Sequence, residues 1–203
     1  GITPDFIVVD GAEGGTGAAP LELADNVGTP LREGLVWVHN SLVGAGLRER
    51  IKIGASGKIT SGFKMAANMA LGADWCNSAR GFMFAVGCVQ SESCHTDHCP
   101  TGVATQNKWR QRAVVVPEKG ERVYNFHKRT VAAMQEVVAT VGLDHPGQLR
   151  PEHLCRRTTD SEIHTADQVY RFLETGELLT ATGDGRYEQA WRKAQAHSFL
   201  PSI

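Results

Sequence analysis

Long apolar runs are missing from this 203-residue sequence, and no stretch approaches the roughly 20 residues that a membrane helix needs. The first residues, GITPDF, lack the basic, apolar and cleavage regions of a secretory signal, so cytoplasmic residence is expected. Net charge is nearly absent too. The formal value is -1, and no long block of like charge interrupts the chain, so neither nucleic acid nor an anionic membrane surface is an expected partner. Ligands must be sought in local sites. Internal repeats and low-complexity linkers are also missing. The phosphate signature GxxxxGK[ST] does not occur, and GAEGGTG lacks both the full dinucleotide spacing and a convincing downstream ribose acid. The sequence opens without methionine, directly on a strand-like segment, and reads as a piece of something longer.

What is present is a globular composition, 41% hydrophobic and 21% charged. PDFIVVDG (4–11) is a nearly continuous apolar run ending in Asp-Gly, the mark of a strand buried on both faces in a parallel sheet. Leu35, Val38, Leu42 and Ala45 recur at helical spacing between Leu31 and Leu47. RIKIGASG (50–57) reads as a second strand. Thr60 or Ser61 can cap the helix that follows, with Phe63, Ala66, Ala67, Ala70 and Leu71 on one face and Gly72 as its stop. ADWCNSARG (73–81) reads as a third strand running into a glycine turn. This alternation is the rhythm of parallel α/β architecture, in which ligand loops lie at the carboxyl ends of the strands. Further on, Val123, Phe126, Thr130, Met134, Val137 and Val141 form a helical core stripe within Glu121–Gly142, and two short helices are expected in the tail.

GAEGGTGA, GASGKITSG and SARG each combine glycines with hydroxyl or basic residues just after an expected strand. Glycine lets backbone N–H groups approach an anion, and a helix amino terminus adds favourable partial charge. Each loop alone is equally explained by the tight turns of α/β connections. Taken together they favour a mononucleotide such as FMN over NAD.

Five cysteines is an odd count, and Cys88, Cys94 and Cys99 lie within twelve positions in GCVQSESCHTDHCPTGVATQ. That clustering suits a metal or cluster site better than a secreted disulfide framework. Three thiolates and the Cys99-Pro100 step favour iron-sulfur. Zinc with His95 or His98 as fourth ligand stays open, as do inert or redox-active thiols. Cys76 and Cys155 read as core residues.

Together, DGAEGGTGAAP, IKIGASGKITSG, GADWCNSARGFMFAVGC and CVQSESCHTDHCPTGVATQ resemble the synthase domain of glutamate synthase and its stand-alone FMN-binding relatives. The match covers roughly Pro4 to His127, and the tail resembles the carboxyl-terminal extension of the stand-alone group. The resemblance implies an α/β fold, the C-terminal part of a (β/α)8 TIM barrel with a helical extension, divided as 1–127 and 128–203. It implies a 3Fe-4S cluster held by Cys88, Cys94 and Cys99, and FMN whose phosphate meets Ser56, Gly57, Lys58, Arg80 and Gly81. Arg80 stands where the long synthases carry a small hydroxyl residue and Ala79 where they carry glycine, and a guanidinium compensates through charge-assisted hydrogen bonds. Glu13 is the candidate active-site acid. The implied reaction is reductive amination of 2-oxoglutarate by ammonia to give glutamate, with electrons from ferredoxin or an NAD(P)H-linked reductase. The glutaminase domain that supplies glutamine-derived ammonia has no counterpart in these residues. An upstream barrel segment is an expected partner, and this polypeptide is expected to be inactive alone. The competing expectation is a non-catalytic iron-sulfur or zinc-binding electron-transfer module.

Overall fold

The structure, a computed structural model, describes residues 3–13, 19, 22–23, 26–180, 183, 185–198 and 200. Strands β1 (Phe6–Asp10), β2 (Lys52–Ser56) and β3 (Trp75–Asn77) form a parallel sheet in the order β1-β2-β3. Ile7 pairs with Ile53, and Val9 with Ala55, which in turn pairs with Cys76. Because side chains alternate along a strand, these residues share the sheet face that carries the core.

Helix α1 (Leu31–Gly44) and helix α2 (Gly62–Ala70) cover that face. Leu35 and Ile53 are completely buried in it, each contributing about 1.5–3 kcal/mol of burial free energy. Ser61 caps α2 by accepting a hydrogen bond from the Lys64 N–H, as its position in the sequence suggests. Phe63 departs from the expected apolar face and points to solvent, leaving the small side chains Ala66, Ala67 and Ala70 to pack α2 against the sheet.

The opposite face is open. Phe6 and Val8 are exposed there, and Phe6 meets Trp75 edge-on at 5.5 Å across β2. Gly54 makes this contact feasible: a Cβ at that position would lie 2.6 Å from the Trp75 ring. Parallel sheets are normally covered on both faces. One covered face and one open face are compatible with part of a (β/α)8 barrel, though no barrel closes among the described residues.

The third strand is shorter than its sequence suggests. It stops at Asn77, and Ala79–Val86 forms helix α3, so Gly81 lies inside a helix and the true glycine stop is Gly87 in the left-handed region. A short helix, α4 (Lys108–Gln111), precedes the long α5 (Val116–Thr140). α5 begins ahead of Glu121 because Pro117 sits in its first turn, where a missing N–H is harmless. It packs across both α2 and α3. Met134 and Val138 are its buried residues, while Val141 at its end is exposed.

Beyond α5, strands β4 (Cys155–Arg157) and β5 (Ile163–Thr165) form an antiparallel pair, followed by α6 (Ala166–Val169) and α7 (Arg186–Lys193). Leu149, Leu154 and Ala166 from this tail join the same core as Ile53. Cys155 is exposed on the hairpin and is not a core residue, because Leu154 beside it takes the inward position.

Asn40 anchors the tail to α1. Its Nδ2 donates to the Arg171 carbonyl and the Tyr187 hydroxyl, both at 2.8 Å, and its Oδ1 accepts from the Leu173 N–H at 3.0 Å. Both donors and the acceptor oxygen of a fully buried amide are thereby engaged by the tail. Trp37 of α1 stacks on Tyr187, and Arg186 covers the other side of that junction over the Trp37 ring.

Candidate functional site

The loops after β1, β2 and β3 converge at the carboxyl ends of the strands. The Gly11 N–H donates to the Ser56 carbonyl at 2.8 Å, which ties the first loop to the second. The Ser78 hydroxyl donates to the Ile59 carbonyl at 2.6 Å, which ties the second to the third. Ser56, Gly57 and Lys58 are therefore brought into one cluster with the first turn of α3, which carries Arg80 and Gly81. Gly57 and Lys58 both have positive φ, 149° and 46°. For a lysine this is an uncommon backbone state, of a kind found where a loop serves a ligand.

Ser78 spends its hydroxyl on Ile59, and α3 has no side-chain cap. The first N–H groups of that helix consequently lack side-chain acceptors and face the loop cluster with the helix's positive end. This arrangement fits a phosphate.

Glu13 lies near the start of α1. Its Oε2 accepts the Leu31 N–H at 2.8 Å, capping a helix whose own N-cap residue, Pro30, offers no side-chain acceptor. The rest of the GGTGA motif, residues 14–18, lies outside the described residues.

α3 leads from the phosphate-like loops to the cysteine segment and is about 12 Å long at 1.5 Å per residue. Cys88, Cys94 and Cys99 are free thiols, the first two half-buried and the third buried. The Cys88 sulfur accepts the Gln90 N–H at 3.4 Å. Cys99 is more heavily hydrogen-bonded. Burial by itself pushes its thiol up, but hydrogen bonds from the Thr101 side chain and from the Ala104, Thr101 and Val103 N–H groups outweigh it, and the pKa falls to about 7. Thiolate is the form that ligates metals. Burial alone pushes the Cys76 thiol up to about 12, which suits a core residue.

The Cys99 loop is held by a dense set of local bonds. Asp97 adopts the left-handed conformation at φ 64°, and its Oδ1 accepts the Gln106 N–H at 2.6 Å and the Thr105 hydroxyl at 3.0 Å. These contacts hold its carboxyl below the usual range. Asn107 caps α4, and Arg110 from that helix donates to the His98 and Cys99 carbonyls. Gly102, at φ 76°, lies so close to the Arg110 carbonyl that a Cβ would collide with backbone. His98 Nδ1 lies 2.6 Å from the Thr96 carbonyl, which marks Nδ1 as the protonated ring nitrogen.

Among the described residues no three His, Cys, Asp or Glu side chains are grouped closely enough to hold a metal ion. The donor chemistry of the three cysteines nonetheless suits an iron-sulfur centre: free thiols on one segment, with Cys88 already accepting an N–H bond and Cys99 beside the Thr101 hydroxyl.

The model describing a conserved region in glutamate synthase matches residues 1–144. The chain belongs to the glutamate synthase family. Among relatives, it is 44% identical over 171 residues to the glutamate synthase large subunit-like protein YerD of Bacillus subtilis, covering 84% of this chain and 33% of that protein. It is 32% identical over 201 residues to the chloroplastic ferredoxin-dependent glutamate synthase 2 of Arabidopsis thaliana, 98% of this chain but 12% of that one. The large chain of the NADPH glutamate synthase of Bacillus subtilis is 34% identical over 141 residues, 69% of this chain and 9% of that one. The chain thus spans a third or less of each of these relatives.

Within this glutamate synthase family chain, Asp97, Thr105 and Ser78 are the site residues that motif reading passes over. Asp97 leaves a trace in the sequence, since Asp tolerates the left-handed state that the bend between Cys94 and Cys99 requires. Ser78 leaves none, because its partner is set by the packing of two separate loops. At the other ends of the strands, Arg48, Lys52, Asp74, Arg150 and Phe172 help line a cleft of about 620 Å³. It lies away from the glycine loops, and its Arg48 is already bonded to Asp74, Gly72, Ile51 and His39. Among the described residues no helix is long and apolar enough to cross a membrane.

Proposed function

We propose that this chain forms the FMN-phosphate and iron-sulfur part of a glutamate synthase-type oxidoreductase. It would act within a larger (β/α)8 barrel that aminates 2-oxoglutarate reductively to glutamate. The observation that supports the reading best is that α3 joins two complementary features. At its amino end lies an uncapped first turn tied to the neighbouring loop, and beyond its carboxyl end lies a cysteine loop with a buried thiol.

In this reading the backbone of Ser56, Gly57, Lys58, Arg80 and Gly81 holds the FMN phosphate, with the α3 amino terminus and the guanidinium balancing its charge. Cys88, Cys94 and Cys99 hold a 3Fe-4S cluster. FMN, when bound, supplies the hydride for reducing the imine of 2-oxoglutarate and ammonia. Glu13 keeps the first loop in register by capping α1, which makes its contribution to the active site one of placement. Residues 1–127 carry the loops, and 128–203 form the extension. By analogy with the names of the relatives, ferredoxin or an NADPH-linked subunit delivers the electrons.

The reading is tested by anaerobic purification of the natural polypeptide that contains this chain, followed by visible spectroscopy and iron analysis. Flavin together with iron supports it. Iron or zinc without flavin would favour a metal-binding electron-transfer module, and neither would refute both. Arg80→Glu should then lower FMN occupancy while leaving iron unchanged.

A further inference from the structure

The segment from Asp97 to Thr105 is closed on itself before any inorganic group is added. The Asp97 side chain takes the Gln106 N–H and the Thr105 hydroxyl, and the same hydroxyl donates to the Asp97 carbonyl at 2.7 Å. Inside this ring the buried Cys99 sulfur lies 3.5 Å from the Thr101 hydroxyl, and the Arg110 guanidinium holds the Cys99 carbonyl. Cys94 sits outside it in the turn Cys94–Thr96, and Cys88 lies just past α3. The two halves of the cysteine segment are therefore built differently. One is pinned by side-chain bonds, while the other includes two residues, Gln90 and Glu92, in the left-handed region between Cys88 and Cys94.

We infer that Asp97 is a positioning residue for Cys99: its carboxylate closes the loop in which that sulfur is buried, presetting one corner of the site to which Cys88 and Cys94 are added on binding. This rests on the reading of the three cysteines as ligands of an iron-sulfur group. Asp97 would not touch the group itself. Its bonds to Gln106 and Thr105 close the chain around the buried sulfur. What it supplies is a hydrogen-bond acceptor in a left-handed backbone position, a role an asparagine can also fill.

The experiment compares wild type with Asp97→Ala, Asp97→Asn, Thr105→Val and Cys99→Ser in the natural polypeptide. The first readout is the rate at which iodoacetamide alkylates Cys99 in the metal-free protein at about pH 10, where the thiol is ionised in every variant and access alone sets the rate, followed by peptide mass spectrometry. The second is iron per chain and the electron paramagnetic resonance line shape after reconstitution. Asp97→Ala should expose the buried sulfur and raise Cys99 alkylation by about tenfold, the equivalent of one lost charge-assisted hydrogen bond. It should also lower iron content and broaden the resonance without changing the overall melting temperature. Asp97→Asn should restore both readouts, and Thr105→Val should fall between Ala and wild type.

If Asp97→Ala and Thr105→Val both match wild type while Cys99→Ser loses iron, the inference is overturned and the cluster reading survives. If Cys99→Ser keeps its iron, the cluster reading fails. Alkylation of the metal-free variants then still decides whether Asp97 shields Cys99. Failure of Asn to rescue would overturn the acceptor role.

Discussion

Replacing Asn40 by leucine should loosen the tail from α1 at one identifiable point. The substitution keeps a similar volume and removes both polar atoms. It strands the Leu173 N–H and the Arg171 carbonyl, which pair with the fully buried Asn40 amide. Each buried group left without a partner costs about 1–3 kcal/mol, so the pair costs about 2–6 kcal/mol. Tyr187 turns its hydroxyl to water and adds little. For a chain of this size such a loss lowers Tm by on the order of 10 °C. Tyr187→Phe, which removes only the third bond, should cost below about 1 kcal/mol. Thermal unfolding monitored by circular dichroism measures the shift, and hydrogen exchange at Leu173 locates it. An Asn40→Leu protein that melts within a degree of wild type, with the Leu173 amide still protected, would refute the reasoning.

Acid should weaken the fold through His39, whose pKa is lowered to about 4, chiefly by burial and then by the neighbouring Arg48 guanidinium. Between pH 6.5 and 4 the unfolded chain binds the proton that the folded one refuses, so stability falls as pH drops, by about 3 kcal/mol at most. The acid limb should flatten in His39→Gln, as followed by urea unfolding across that range. Gly102→Ala should disorder the Cys99 loop, since it forces a left-handed alanine against the Arg110 carbonyl; limited proteolysis around residue 102 should speed up, at a backbone cost of about 1–2 kcal/mol before the collision. Asp74→Ala should cost about 2 kcal/mol in denaturant unfolding, because the carboxylate both pairs with Arg48 at 2.8 Å and accepts the Ile53 N–H at 2.7 Å.

Strands β1 and β2 and helices α1, α2 and α5 were legible because their apolar residues repeat at the period of the element, and Leu35, Leu42, Ala66, Leu71 and Met134 are buried as that pattern requires, whereas the β4–β5 hairpin, short and polar, stands where only helices were expected. Helix α3 was hidden by Gly81, which looks like a turn but is buried at a close contact with Phe126 of α5. Periodicity also has no means of flagging Asn40, a polar residue in a core position whose partners lie more than a hundred residues away. In the site, the cysteine spacing and the glycine loops were readable as motifs. The bonds that arrange them, from Ser78 to Ile59 and from Asp97 to Gln106, depend on how distant backbone segments pack and turn.

The sharing of one core by Ile53 of β2 and Leu149, Leu154 and Ala166 of the tail bears on how the molecule is made and destroyed. A ribosome that released its product just after α5 would deliver a chain whose helical layer still lacked its outer seal, with oily surface left wet. Degradation machinery should therefore meet a single substrate here: trimming from the carboxyl end would undermine the sheet rather than shave off an ornament.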